Sequence, residues 1–449
     1  MALSKELQNF AIEELKTLAR IPSISFPGFD HSEIDRSAEA TAVLLRKSGF
    51  QNVELLRIDG CFPYIVGDWF VDKKFPTLLL YAHHDVQPPG REELWKSPPF
   101  EPVIRDGRLY GRGTADDKAG ILVHAAAAKH YVNLSAWPPV NLKIIIEGEE
   151  EVGSSHLFSF LKQNRERLEA DVIVVTDTGN IKSGIPSLTT SLRGLVTVEI
   201  EIKSLKAPLH SGMWGGAVVD PAAVLIKMIS KLTDDNGKIL LKSIGRIPKA
   251  KKFRVPITKK EFASMAGVLK LNSVPDDFVS KTWYEPSLSV NAIQASSEKL
   301  ANNIICDRAY ARIGIRLTAR ENANRVHKEL VRKLKAMTPS SVEIKITESE
   351  AADAWSTDPY SKRNRWAFEA AEAALEKGFG QKVVYMGCGA SIPFIGPFEN
   401  ALSAPVITFG VEDPLTLAHS ENESLFISDF YKVIDSEIEF FNAIGTQKK

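Results

Sequence analysis

Apolar and polar positions along this chain follow two periods, and the points where one gives way to the other outline a layered α/β protein. Phe10, Ile12, Leu15 and Leu18 recur at helical spacing until Ile21-Pro22-Ser23 ends the run, and Ala38 to Ser48 predicts a second amphipathic helix. Apolar runs of strand length follow at Val53 to Ile58, Tyr64 to Phe70 and Thr77 to Tyr81. After a loop rich in Pro and Trp, the Ala-dense segment Ala119 to Tyr131 predicts a buried helix, and Leu142 to Ile146 and Val172 to Val175 predict two more buried strands. Three of these strands end in His83, in the acids Glu147 to Glu151 and in Asp177. That is the pattern of an α/β layer carrying its chemistry at one sheet edge.

From about Leu188 the pattern becomes strand (Leu195 to Ile202), helix (Pro221 to Leu232), strand (Ser287 to Ile293), strand (Ala311 to Leu317), helix (Ala323 to Met337) and strand (Val342 to Thr347). This βαββαβ order predicts a small α+β domain, a four-stranded sheet with two helices on one face. After Ala354 the α/β pattern returns: a helix from Ser361 to Leu375, a strand from Val383 to Met386, a glycine-rich turn at 387–391, a strand from Pro405 to Val411 and a long helix from Ser424. The expected fold class is therefore α/β, with a central, mostly parallel sheet formed by residues 1–187 and 354–449 and interrupted by an inserted α+β domain over 188–353. Within the insertion, 238–281 reads as a long solvated loop whose basic cluster comprises Lys249, Lys251, Lys252, Arg254, Lys259 and Lys260.

Composition narrows the function classes. The 449 residues balance 56 Lys and Arg against 56 Asp and Glu, so no global field favours nucleic acid or an anionic membrane, and a small-molecule substrate is the expectation. Cys61, Cys306 and Cys388 are widely spaced and odd in number, which argues against a disulfide framework or a structural zinc cluster. The charged residues Lys5, Glu6, Glu13, Glu14 and Lys16 interrupt what would be the apolar core of a secretory signal. No apolar run approaches the roughly 20 residues of a membrane span. A cytoplasmic protein is expected.

The polar residues at strand ends and in loops form one inventory: His83, Asp116, Glu150, Glu151, Asp177 and His419. Taken singly, each is better explained as a helix cap, a solvated acid or a hydrogen-bonded core histidine. Arriving together at one edge, the two histidines and three of the four carboxylates suit two divalent ions that share a bridging carboxylate, with Asp116 as the bridge. Asp85, two residues after His83, is placed to fix the imidazole through its second nitrogen. Adjacent residues at a strand end point different ways, so one of Glu150 and Glu151 can face a metal while the other does not.

The segments Tyr-Ala-His83-His-Asp85-Val-Gln-Pro, Gly-Arg-Gly-Thr-Ala-Asp116-Asp-Lys, Glu-Gly-Glu-Glu150-Glu151-Val-Gly-Ser, Leu-His210-Ser-Gly-Met-Trp-Gly-Gly and Ala-His419-Ser-Glu-Asn-Glu, with Asp177, carry a resemblance over nearly the whole chain. Together they resemble the M20 family of dinuclear metallopeptidases, on the side of the cytosolic dipeptidases and carnosinases. The resemblance implies one metal on His83, Asp116 and Asp177 and another on Asp116, Glu151 and His419, zinc first, with manganese or cobalt as alternatives. It further implies Glu150 as general base, Asp85 as the partner of His83, and a homodimer formed through the inserted lid. His210 would then reach the neighbouring subunit's site to stabilise an oxyanion, while Arg316, Asn303 and Ser391 would contact substrate, Arg316 by clamping its carboxylate.

Two departures stand out. Gly387-Cys388-Gly389-Ala390 replaces the Arg-Glu-Gly-Gly of carnosinases before Ser391, which argues against carnosine itself, and Glu149 stands where relatives often carry an apolar residue. The leading reading is a hydrolase of dipeptide-like amides next to a free carboxylate. The alternatives are an N-acyl-amino-acid deacylase with the same site and a metal-binding scaffold without catalysis.

Overall fold

The computed structural model describes residues 3–245, 255–392 and 395–446. Its centre is a six-stranded sheet in the order Gln51–Leu56, Tyr64–Trp69, Asn141–Glu147, Thr77–His83, Val172–Val175 and Val406–Thr408. The last four strands run parallel, and Tyr64–Trp69 is antiparallel to both of its neighbours. Parallel strands bury both faces, which explains why Thr77–His83 and Val172–Val175 are apolar without alternation. Side chains of even and odd number separate to the two sides. Leu78, Leu80, Ala82, Ile144, Ile146 and Val174 join one core, whereas Leu79, Tyr81, Ile145, Ile173 and Val175 join the other.

Helices fill both faces. Lys5–Ala19 is capped by the Ser4 hydroxyl and buries Leu7, Ala11, Leu15 and Leu18, while Lys118–Asn133 is buried almost all round, as its alanine content allows. Arg365–Phe379 packs along Ile427–Gly445, completing that layer with residues from the far end of the chain. The C-terminal helix begins at Ile427, later than the predicted Ser424, because Ser424–Phe426 first pairs as a strand with Arg108–Tyr110.

A second sheet has the order Ser287–Gln294, Arg308–Leu317, Gly194–Lys203 and Glu343–Ala352, all antiparallel. Helices Pro221–Ser230 and Ala323–Met337 cover one face, burying Val196, Val198, Ile200, Ile313 and Ile315 in a separate core. Strand Ser187–Leu192 forms a separate three-stranded sheet with Trp355–Ser356 and Val384–Cys388, and the chain passes from it through Arg193 into Gly194–Lys203 of the second sheet.

The segment 238–281 is not a plain loop. Lys259–Met265, with a Thr258–Glu261 capping box, and Phe278–Trp283 are helices that bury Ala263, Phe278, Val279 and Trp283 against Ile181 and Met386. Their apolar residues are too irregularly spaced to show a period. Lys249, Lys251, Lys252 and Arg254 of the basic cluster lie outside the described residues, whereas Lys259 and Lys260 open the first of these helices. No helix among the described residues is long and apolar enough to cross a membrane, and Cys61, Cys306 and Cys388 are free thiols.

Candidate metal centre

His83 is the last residue of its strand and is wholly buried, so its ring must find partners at the sheet edge. Nε2 lies 3.1 Å from Asp116 Oδ1 and 3.8 Å from Asp177 Oδ1, while Nδ1 lies 3.4 Å from Asp85 Oδ1 and 3.1 Å from the Asp85 carbonyl. Across Asp116, His419 Nε2 is 2.9 Å from the other carboxylate oxygen, Oδ2, and 3.4 Å from Glu151 Oε2. Asp116 therefore faces a histidine with each oxygen.

Two groups have donor atoms that all lie within 4.8 Å of one another: His83, Asp117 and Asp177, and Asp116, Glu151 and His419. The second is the triad implied by the resemblance. In the first, Asp117 stands beside His83 as well as the expected Asp116, its Oδ2 accepting the His83 backbone N–H at 3.3 Å. The peptide bond between the two aspartates is cis.

Asp85 does more than face His83. Its Oδ1 accepts the Glu150 N–H (3.2 Å), and its Oδ2 accepts the Glu151 N–H (3.0 Å) and the Ser25 hydroxyl (2.7 Å). Glu150 and Glu151 consequently sit on a capped 3₁₀ turn, Glu150–Val152, and not on the strand end assumed from alternation; it is the turn that aims them. Glu151 is held by Gln87, whose backbone N–H reaches Oε1 at 3.0 Å and whose amide reaches Oε2 at 2.6 Å. Glu423 organises the Asp116 turn, accepting the backbone N–H groups of Gly113, Ala115 and Asp116 and pairing with buried Arg112 at 2.7 Å. Gly113 makes this turn possible: its φ is +75°, and a Cβ there would lie 2.6 Å from Val86 Cγ1.

Charge in the centre is unbalanced. Burial, then the negative charge of Asp177, raises Glu150 well above the usual carboxylate range, and burial with Asp116 does the same to Glu151. Burial also raises Asp177. Burial opposes ionisation of Asp116 as well, but hydrogen bonds from His419 and His83 hold it low. Glu412, also burdened by burial and by Asp116, is raised too, and its Oε1 has no hydrogen-bond partner among the described residues. Crowded carboxylates with two imidazoles form a hard, anionic donor set that fits divalent cations.

The centre opens on a cleft of about 1090 Å³ whose lining includes Glu150, Glu151, His419, Arg316 and Ser391. Arg316 Nη1 donates to Ser391 Oγ at 2.6 Å, joining strand Arg308–Leu317 of the smaller sheet to the turn after Val384–Cys388. His210 and Asn303 are brought together with each other rather than with this cleft. Leu209–His210 pairs with Ile304–Ile305, the Asn303 carbonyl accepts the Ser211 N–H at 2.9 Å, and His210 is exposed.

Glu149 acquires an account: Tyr64 donates to it at 3.2 Å, as does the His156 N–H at 2.8 Å, and the His156 ring pairs with it at 2.9 Å. Sequence reasoning passed over Gln87, Asp117 and Glu423 although each lies inside a quoted motif, whereas Ser25 and Glu412 carry no local signal.

A mostly parallel sheet with two His-and-carboxylate groups at its carboxyl edge, beside a cleft, is the arrangement of a metal-dependent hydrolase. The chain belongs to peptidase family M20/M25/M40, whose model matches residues 79–442. It is 31% identical over 375 residues to the cysteinylglycine-S-conjugate dipeptidase of Corynebacterium striatum, covering 82% of this chain and 81% of the relative. To the Cys-Gly metallodipeptidase DUG1 of Saccharomyces cerevisiae it is 28% identical, over 92% and 90% of the two chains. The crystal structure of human carnosine dipeptidase 1 superposes with a TM-score of 0.86 at 25% identity, covering 98% of this chain and 97% of that one.

Proposed function

We infer that the protein is a metal-dependent dipeptidase that hydrolyses the amide bond of small peptides bearing a free carboxylate. The observation that carries this reading is the joint lining of one cleft by the acids and histidine of the metal centre and by the Arg316–Ser391 pair. The relatives are dipeptidases for Cys-Gly, its S-conjugates and β-Ala-His, which supports dipeptides over acyl-amino acids.

His83, Asp116 and Asp177 would hold one ion, and Asp116, Glu151 and His419 a second, with Asp117 beside the first; zinc is our assignment, with manganese or cobalt as alternatives. Bound there, two divalent ions would supply Lewis acidity at the scissile carbonyl and an attacking water of lowered pKa. Glu150 takes the proton from that water and delivers it to the leaving nitrogen. Without the ions, burial and the charge of Asp177 favour its protonated form; once cations held by Asp177 and Asp116 offset that charge, Glu150 can ionise to accept the proton. Asp85 holds the ring of His83 and the turn that presents Glu150, so it positions both. Arg316 clamps the substrate carboxylate with a planar fork, and Ser391 fixes that fork.

We further assign residues 1–187 and 354–449 to the catalytic domain and 188–353 to a lid that pairs two chains into a homodimer. Strand Ser287–Gln294 is exposed along most of its length at the edge of the smaller sheet, which supports such pairing. His210, exposed beside Asn303, would then serve the neighbouring subunit's site. Three widely spaced free thiols support a reducing, cytoplasmic setting.

A panel of free dipeptides, including Cys-Gly and β-Ala-His, dipeptide amides and N-acetyl-amino acids, assayed with metal analysis alongside, tests the reading. Free dipeptides should be the substrates. A preference for acetylated amino acids would make the protein a deacylase, and no hydrolysis by metal-loaded protein would leave only the scaffold.

A further inference from the structure

Arg193 joins strand Ser187–Leu192, which pairs with Val384–Cys388, to strand Gly194–Lys203 of the smaller sheet. It grips the turn that precedes Ser391 twice. Its backbone N–H donates to the Ala390 carbonyl at 3.0 Å, and its Nε donates to the Gly389 carbonyl at 2.9 Å. The far end of the same guanidinium reaches the smaller sheet, where Nη1 donates to Ser287 Oγ at 3.0 Å and to the Glu285 carbonyl at 3.4 Å. Ser287 is the register partner of Arg316 on the next strand, and Arg316 in turn donates to Ser391.

These contacts close a circuit. Arg193 holds the Ser391 turn with one end and the strand beside Arg316 with the other, and the circuit is completed in the cleft where Arg316 meets Ser391. Gly389 is part of the fit, because a Cβ there would lie 3.0 Å from Arg193 Nη2 and 3.0 Å from the Thr282 carbonyl. The arrangement has an electrostatic consequence. Burial, then the charge of Arg316, pulls Arg193 down to about 10, so the two cations lie near enough to repel one another. Bound negative charge at Arg316 would relieve the repulsion between the two.

We propose that Arg193 is a positioning residue for the substrate carboxylate: it sets the Ser391 turn against Arg316 and adds its charge to the field that selects a free carboxylate over an amide. The proposal rests on the dipeptidase reading above. It extends that reading from the residue that touches the carboxylate to the one that holds both halves of its pocket in register.

The test compares wild type, Arg193→Gln and Arg193→Lys on alanyl-leucine and alanyl-leucinamide, with calorimetric binding of leucine and leucinamide alongside. Arg193→Gln should raise KM for the free acid about tenfold while kcat changes less than about threefold, the scale of a lost charge-assisted hydrogen bond. KM for the amide should stay put, and the affinity for leucine should fall without a matching fall for leucinamide. Arg193→Lys, which returns the charge without the fork, should recover part of the loss. Equal changes for acid and amide, a fall in kcat alone, or no change would overturn the role of Arg193. Should Arg193→Gln fail to fold, the leucine-to-leucinamide affinity ratio of Arg193→Lys decides by the same criterion. A wild type that does not distinguish acid from amide would overturn the carboxylate reading and this proposal with it. Discrimination that is undiminished in Arg193→Gln would overturn this proposal alone.

Discussion

Glu423 holds the backbone of Asp116 from 307 residues away: its Oε1 accepts the Asp116 N–H at 3.2 Å and the Ala115 N–H at 3.0 Å. Its other oxygen pairs with Arg112 and accepts the Gly113 N–H at 3.0 Å. Since His419 lies on the same loop as Glu423, one carboxylate ties the loop bearing one proposed ligand to the turn bearing the proposed bridge. Glu423→Ala would leave Arg112 buried and unpaired, along with three backbone donors. We expect a loss of about 3–5 kcal/mol in urea unfolding, the usual cost of breaking a buried pair from one side, together with weaker metal retention on dialysis.

A variant of Glu150, the proposed general base, tests whether that chemistry can be separated from metal binding. Glu150→Gln keeps the shape of the side chain but cannot take up a proton. Turnover of a free dipeptide should fall on the order of 10²-fold or more while metal content and melting temperature hold. Metal lost in step with activity would mean that Glu150 is a ligand and that its role and that of Glu151 are misassigned.

Glu147 makes the metal-free protein's stability depend on pH. It is wholly buried, accepts the Tyr81 hydroxyl at 2.6 Å, and is pushed up to about 8 by burial, against an ordinary value of 4.5. An acid whose folded pKa is raised contributes stability below its unfolded pKa and loses it as pH rises through the folded one. Wild type should therefore lose stability between about pH 4.5 and pH 8 by a component that is absent from Glu147→Gln. Urea unfolding of both proteins at pH 5 and pH 8.5 measures it, and parallel curves would place Glu147 as ionised throughout.

His210 is exposed and lies on the smaller sheet's side, away from the cleft lining. If it acts on the neighbouring chain, His210→Ala and Glu150→Gln should each be nearly inactive alone. Co-expressed, they should recover activity at about a quarter of all sites, because random pairing gives mixed dimers in which one of the two sites draws both intact residues. Verified mixed dimers no more active than their parents would remove His210 from the partner's site.

The larger sheet was legible because its signal is local. Thr77–His83, Asn141–Glu147 and Val172–Val175 are short apolar runs that each stop at a polar residue, and a buried parallel strand has no other way to end at a ligand-bearing edge. The four strands of the smaller sheet were legible for the complementary reason. An antiparallel sheet covered on one face alternates, and Gly194–Lys203 buries Val196, Val198, Ile200 and Ile202 in step. The helices Lys259–Met265 and Phe278–Trp283 were not, since neither is long enough to display a period and their apolar residues are buried in a cluster with the distant Ile181 and Met386.

The sequence by itself therefore determined the fold class, the inserted second sheet and the residue types gathered for a metal-dependent hydrolase, because period and motif are properties of neighbouring residues. Only the tertiary structure decided how those residues are held. The 3₁₀ turn that aims Glu150 and Glu151 is capped by Asp85, 65 residues before Glu150, and Arg193 meets Gly389 across 196 residues. Hydrogen bonds from side chain to distant backbone leave no period in a chain. They exist only once packing has fixed the two segments within about 3 Å of one another, and that is a property of the whole fold.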